Sequence, residues 1–268
     1  MSAWHNLPVS HRDEILELFR LAAADREHGA TEIEEALVRG LVDYEGRLHL
    51  ESLQKGLKML AEEQPAMANL RAMVAWMAAV ESPASCISRL ARRAAVLAKL
   101  PERFAANAWP VLENSEMVVT ISRSTAVAAV VEGAWERGWG GSVVVLDGTA
   151  SGHGSDQASR LSAFGSAISR PDAAASEALD AAAVLVLVGA DAVAERRFVN
   201  SAGTRNLLES ARLRGVETVL VADSGKNVEE EVVGEIIHRS PIHRDVDGSE
   251  WPVFEAVPLE LVTTRVKE

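Results

Sequence analysis

Between residues 10 and 105 the apolar positions recur every third or fourth residue, whereas beyond about 105 they gather into short β-branched runs. In "DEILELFRLAAADREHGATEIEEALVRGLVD", Ile15, Leu18, Phe19 and Ala22 mark one face of a helix, with Ser10 and Asp13 as its start signal and Gly29 as its stop. Thr31 then reads as an N-cap, with Glu34 completing a capping box three residues on. Further helices are expected in "LESLQKGLKMLAEE", in "MANLRAMVAWMAAVE" after Pro65, and in "SRLARRAAVLAKL", which ends at Pro101. Trp76, Met67, Met73 and Met77 on the fourth of these read as core packing.

The second pattern predicts strands at 117–121, 142–147, 166–169, 182–190 and 217–222, alternating with helices at about 124–138, 155–164, 173–179 and 200–214. Such alternation implies an α/β fold: a Rossmann-like parallel sheet covered on both faces, preceded by an all-helical N-terminal domain. The expected domains are 1–105 and 106–268. Past 223 the pattern loosens into a short helix and an exposed arm, and "VFEAVPLELVTTRV" reads as an extended segment docked on the body. Parallel sheets of this kind bind ligands beyond the carboxyl ends of their strands, so Ser122, Asp147 and Asp191 would face one crevice.

Composition narrows the function classes. Hydrophobic residues make up 48% of the 268, enough for a core, and no stretch reaches the ~20 apolar residues of a membrane span. "MSAWHNLPVSHRDE" lacks the basic-then-apolar pattern of a secretory signal, so a cytoplasmic location and no membrane partner are expected. A net charge of −12 disfavours direct nucleic-acid binding, and "RLARR" at 89–93 reads as a solvated helix face. The single cysteine, Cys86, forms no internal disulfide and reads as a half-buried helix-start residue. The histidines lack metal-pair spacing, and neither a dinucleotide fingerprint nor a G-x-S-x-G turn is present; no metal or cofactor is expected.

Three strand ends carry candidate chemistry. Ser122, Arg123, Ser124 and Thr125 open a helix, where free amides either attract an anion or are simply capped. "DGTASGHGSDQ" offers Gly152, His153 and Gly154, as a substrate-side loop or an inert one. "VGADAVAERRFVNSAGT" ends a strand on Asp191, either a capping acid or an acid–base group in a cleft. Asn200, Gly203 and Thr204 open the next helix, while Arg196 and Arg197 either close over an anion or solvate a loop. An acid flanked by anion-attracting helix starts suits proton movement on a phosphorylated sugar.

Taken together and in their order along the chain, "QPAMANLRAMVAWM", "VVTISRSTAVAAVVEGA", "VLVGADAV…NSAGT…VADSGK" and "VFEAVPLELVTTRV" resemble the segments of one superfamily. Its members are the alpha, beta and delta subunits of translation initiation factor 2B, methylthioribose-1-phosphate isomerase and ribose-1,5-bisphosphate isomerase. The resemblance implies a helical domain on a Rossmann-like domain, paired as a homodimer. It places Asp191 on the isomerases' acid–base aspartate, Ser122 on their cysteine and Lys226 in the Ser-Lys turn of the ligand site. The chain departs from the isomerases at Ser122, at Ser201 in place of lysine, and at Gln64 in place of arginine. It also lacks their Arg-Pro pair after the second strand. A serine hydroxyl is a far weaker acid than a thiol of pKa ~8.5. The resemblance thus points to the initiation-factor branch, a binding or regulatory protein with a phosphorylated-sugar or nucleotide pocket. The alternative is a divergent aldose–ketose isomerase, an intramolecular oxidoreductase, in which Asp191 works with a partner such as His153.

Overall fold

The computed structural model describes residues 11–25, 28–44, 48–80, 82–148, 153–244 and 248–268. The chain divides into two compact units, Met1–Lys99 and Leu100–Glu268.

The first unit is helical: α1 (His11–Ala24), α2 (Ala30–Val42), α3 (Leu50–Glu63), α4 (Ala68–Ala78) and α5 (Pro83–Leu97). Ile15, Leu18, Phe19 and Ala22 of α1 are buried together with Leu53, Leu57 and Leu60 of α3. The Phe19 ring lies where a side chain on Gly56 would be, 2.1 Å from an added Cβ, so glycine lets α1 and α3 meet closely. Gln64 donates from Nε2 to the carbonyls of Ala22, Ala23 and Asp25, satisfying the C-terminal end of α1.

Two details differ from the sequence expectation. The α2 N-cap is Gly29, whose amide donates to Glu32 at 2.9 Å, so the capping acid lies two residues before Glu34. Glu34 is buried on the inner face instead, where it receives two hydrogen bonds from Arg93 at 2.6 and 2.7 Å and one from Asn69 at 2.9 Å. The "RLARR" run is therefore not wholly a solvated face, because a carboxylate on α2 draws Arg93 inward. Of the fourth-helix residues, Met73 and Met77 are buried, while Met67 and Trp76 are half-buried. Cys86 is buried within α5, and burial pushes its thiol pKa up, away from reactivity.

The second unit opens with α6 (Leu100–Leu112), so the boundary expected at 105 falls inside a helix; Pro101 sits in its first turn, where no intrahelical donor is needed. Then follow β1 (Met117–Ile121), α7 (Thr125–Glu136), β2 (Ser142–Leu146), α8 (His153–Leu161), β3 (Ser166–Arg170), α9 (Ala175–Leu179) and β4 (Val184–Val188). After β5 (Ala192–Val193) and β6 (Arg197–Ser201) come α10 (Thr204–Leu213), β7 (Glu217–Val221) and α11 (Glu230–His238). The chain closes with β8 (Ile242–Arg244), β9 (Glu250–Pro252), β10 (Phe254–Pro258) and β11 (Thr264–Val266).

The main sheet is parallel, in the order β11-β7-β4-β1-β2-β3. Its central strands are valine-rich and buried because helices cover both faces. From β1 the chain winds outward through β2 to β3, then crosses back to place β4 on the other side of β1. That reversal leaves a crevice between the tips of β1 and β4. The stretch 192–201 was expected as loop and helix start, but it forms β5 and β6, paired antiparallel with each other, and β10 joins β6. Gly203, at φ 98°, ends that excursion and delays α10 to Thr204. The closing segment does dock, through β10 on β6 and through β11 on β7.

Candidate functional site

The tip of β1 is built around a backbone outlier. Ser122 follows Ile121 with φ 60°, a left-handed conformation uncommon outside glycine, and its amide bonds Leu146 O at 2.8 Å. Gly148, also left-handed, lies directly on it: a Cβ there would stand 3.1 Å from Ser122 Cβ. The Gly148 amide donates to Asp172 Oδ1 at 2.9 Å. The other Asp172 oxygen lies 3.2 Å from where a Cβ on Gly203 would be, and Ile121 lies 2.9 Å from the same point. The tips of β1, β2 and β3 and the start of α10 thus converge on Ser122, Gly148, Asp172 and Gly203. Burial pushes the half-buried Asp172 carboxyl above its ordinary pKa; the Gly148 amide opposes this and nearby Asp147 adds to it.

Continuing the β1–β4 register, in which Val119 faces Val186, sets Ser122 level with Gly189. Gly189 packs on Ser124, whose Oγ would lie 2.3 Å from an added Cβ. Ser124 caps α7 by accepting from the Val127 amide at 3.3 Å. Asp191 comes two residues past Gly189, its amide held by Val199 O at 2.8 Å. Its carboxyl is hemmed in by protein, yet the residue keeps part of its surface open, and it accepts no hydrogen bond among the described residues. Lys226, buried, faces it and donates from Nζ to Ala190 O at 2.6 Å. Burial raises the Asp191 pKa, and the Lys226 ammonium pulls the other way without cancelling it. Asp191 is therefore not spent on capping.

On the β2 side, His153 opens α8, and its pKa is lowered by burial and by Arg123, with Asp156 opposing. Arg123 is half-buried and makes no hydrogen bond among the described residues. Gly154 is glycine for a packing reason: a Cβ would meet Leu146 O at 2.4 Å and Asp147 Cα at 2.5 Å, both backbone. Gly154→Ala should therefore push the start of α8 off β2 and cost about 1–3 kcal/mol, read by urea denaturation. One turn on, fully buried Gln157 donates to Ser124 O at 3.0 Å, while its Oε1 is buried without a partner. Gly152 lies outside the described residues.

At α10 an internal anion is already present. Glu255 of β10, opposite Asn200 in register, accepts from the amide of Arg205 at 2.9 Å and also from that of Gly203. Asn200 donates to Thr204 Oγ1 at 3.0 Å, and that hydroxyl donates to Ser201 O. Arg197 pairs with Glu230, whose carboxylate also takes the Arg196 amide. A small hollow, lined by Val193, Leu220, Ala222, Asn227 and Val266, lies at the C-terminal ends of β7 and β11; Val193 and Asn227 are near neighbours in sequence of Asp191 and Lys226. Among the described residues no three His, Cys, Asp or Glu side chains are placed to hold a metal, and no helix is long and apolar enough to cross a membrane.

A family model, that of the initiation factor 2 subunit family, matches residues 14–245. The chain belongs to that family. No individual curated protein matches it in sequence. Among solved structures it is similar to the translation initiation factor eIF-2B of Pyrococcus horikoshii OT3, at 18% identity and a TM-score of 0.82, covering 97% of this chain and 95% of that one. The 5-methylthioribose 1-phosphate isomerase of the same organism matches at 17% identity and TM-score 0.72, over 94% of this chain and 82% of that one. The tetrameric eIF2B-beta2-delta2 complex of C. thermophilum matches at 14% and 0.74, over 99% and 93%. At these identities the likeness establishes the fold, which family members with factor and isomerase names share. Of the residues singled out from sequence, Ser122, Gly203 and Asp191 come to one edge of the sheet, with Lys226 beside Asp191. Asp172 and Gln157 were missed. Asp172 follows Pro171 in what reads as an ordinary loop, and the only sequence signal for Gln157 is its place one helical turn after His153.

Proposed function

We propose that the chain is a cytoplasmic, homodimeric binding or regulatory protein of the initiation factor 2B kind, holding a phosphorylated sugar or nucleotide at the β1–β4 crevice. The observation that carries this reading is Asp191: a carboxyl that accepts no hydrogen bond among the described residues, on a residue that keeps part of its surface open, beside a buried lysine at the point where the sheet reverses direction. Such a pair suits a ligand hydroxyl and a neighbouring polar group. With the start of α10 occupied by Glu255, the phosphate is assigned to the start of α7, where Arg123 is uncommitted and His153 stands close. Gln157 adds an unused buried acceptor there.

Binding is favoured over turnover because the acid–base partner is weak. Ser122 replaces the thiol, and no described base bonds its hydroxyl. The lowered pKa of His153 keeps it neutral and able to accept a proton, which favours the isomerase alternative. Yet His153 follows β2 and Asp191 follows β4, strands on opposite sides of β1 and two strand spacings, about 10 Å, apart. A ligand using both would have to reach across β1.

A thermal-shift screen with sugar phosphates and nucleoside monophosphates tests the reading. A ligand at about 100 times its Kd stabilises by about 2.7 kcal/mol, roughly 5–10 °C for a unit of this size, and Arg123→Ala should weaken the response. No response from any of these probes would overturn the pocket. Isomerase turnover of a hit, abolished in Asp191→Asn, would move the chain to the enzyme reading.

A further inference from the structure

Asp172 belongs to the turn after β3, yet its carboxyl stands over the tip of β1. The short 3-10 turn Asp172–Ala174 brings it back across β2. Its Oδ1 takes the Gly148 amide at 2.9 Å, and Gly148 in turn rests on Ser122. Its Oδ2 lies 3.2 Å from where a Cβ on Gly203 would stand, and Ile121 reaches within 2.9 Å of the same point. That second oxygen accepts no hydrogen bond among the described residues, and no lysine or arginine among them pairs with it. Holding Gly148 needs one oxygen and no charge, so an asparagine would serve the turn equally well. The aspartate is the more costly choice, because burial and nearby Asp147 both oppose its charge. Asp147 is itself occupied, taking the Ser169 hydroxyl at 2.7 Å. On the β4 side of Ser122, the Asp191 carboxyl is enclosed by protein and likewise accepts no hydrogen bond among the described residues. Two unspent carboxyls thus flank the tip of β1.

We propose that Asp172 determines specificity in the crevice: its free oxygen accepts a hydrogen bond from a sugar hydroxyl of the ligand, at the end remote from the phosphate. The proposal rests on the pocket reading above and narrows its ligand to a sugar monophosphate. A carboxylate oxygen can only accept, so it admits a hydroxyl and refuses a second phosphate. Its surroundings act in the same sense. The start of α10, which would otherwise attract an anion, is filled by Glu255 on the amides of Gly203 and Arg205. Asp172, Asp191 and Glu255 therefore make the Gly203 side of the crevice rich in acceptors, while Lys226 beside Asp191 is committed to Ala190 O. Arg123, before the start of α7, carries the uncommitted charge that a phosphate can use. The ligand is thereby oriented, phosphate toward α7 and hydroxyls toward Asp172.

The test compares matched sugar mono- and bisphosphates: fructose 6-phosphate with fructose 1,6-bisphosphate, and ribose 5-phosphate with ribose 1,5-bisphosphate. Their affinities for the full-length protein are read by thermal-shift titration. The parent should prefer the monophosphate of a pair at least about tenfold. Asp172→Asn keeps an oxygen for the Gly148 amide and turns a donor toward the ligand. It should weaken the monophosphate, strengthen the bisphosphate and so lower their affinity ratio at least about tenfold. Effects of opposite sign separate recognition from damage to the turn, which would weaken both ligands alike. Should the variant fold poorly, a crystal structure of the parent with the tighter monophosphate supplies the second measurement. A sugar hydroxyl should then lie about 2.7 Å from Asp172 Oδ2. A phosphate at that oxygen, or no ligand atom near it, would overturn the proposal. So would a parent that binds bisphosphates equally well, an unchanged ratio in Asp172→Asn, or a shift from nucleoside monophosphates alone; each leaves the pocket itself standing. Silence from every sugar phosphate and nucleotide would remove both.

Discussion

Arg93→Met is expected to destabilise the helical unit by about 3–5 kcal/mol, the cost of leaving a buried carboxylate without its cation. Glu34 is 1% exposed, and Arg93 meets it with two parallel hydrogen bonds. Asn69 supplies a third donor, shared with Ala30 O, and cannot replace a charge. A loss of this size rivals the whole stability of a small domain. The fault lies in the stranded charge, so the double variant Glu34→Leu with Arg93→Met should regain most of the loss, as neither ion is then buried alone. Urea denaturation of the full chain, followed by far-UV circular dichroism, gives the cycle. An Arg93→Met loss below about 1 kcal/mol would mean the pair is solvated in practice and contributes as a surface bridge does. The pair ties α2 to α5, and Asn69 brings in α4. The motif asparagine that helped to reveal the family resemblance therefore serves packing in this unit.

What could be read from sequence divides along a physical line. "VVTI", "SVVVL" and "VLVLV" announce buried parallel strands because a strand covered on both faces tolerates little but branched apolar residues. The same logic fails at 192–201, where "RFVNS" is too short to show a period and runs straight into a helix start. Only the pairing of β6 with β10, over 50 residues later, makes it a strand. Thr31 and Glu34 fit the capping-box pattern better than Gly29, which has no side chain, and Glu32, which supplies only the acid's half of the box; yet Arg93, distant in sequence, draws Glu34 inward. At the candidate site, residues tied to a strand end were legible: Ser122 and Asp191 fall where the hydrophobic run stops. Asp172 and Gln157 were not, since each matters through a partner on another element, Gly148 for one and Ser124 for the other. Gly154 belongs to a loop whose sequence left a substrate-side and an inert role open, and the structure supplies a packing reason for the glycine, contact with the backbone of β2. Glu255 also left no local trace, because it reaches the start of α10 only once β10 has paired with β6.

Asp191→Asn should make the protein more stable near pH 8 and leave it nearly unchanged near pH 4. Burial raises the Asp191 pKa in the folded chain, beyond what Lys226 offsets. Between the unfolded value, about 3.9, and that raised value, the folded form keeps a proton the unfolded form has lost, so parent stability falls as pH rises through the window. Above the window the folded chain carries the full cost of the buried charge; below it both states are protonated and the cost disappears. Asparagine keeps the shape, never ionises, and leaves Lys226 bonded to Ala190 O, so the variant should show no such slope. Each kcal/mol released should raise Tm by about 2–4 °C. The parent thus holds a carboxyl that weakens its own fold at neutral pH, and such a cost is maintained at sites where a ligand uses the group. Two measurements on one variant join the argument: melting curves across pH should show the gain, and the ligand-induced shift should shrink or vanish. A variant no more stable than the parent at any pH would mean that the charged carboxyl costs the fold nothing. A stability gain with the ligand response intact would take Asp191 out of the pocket.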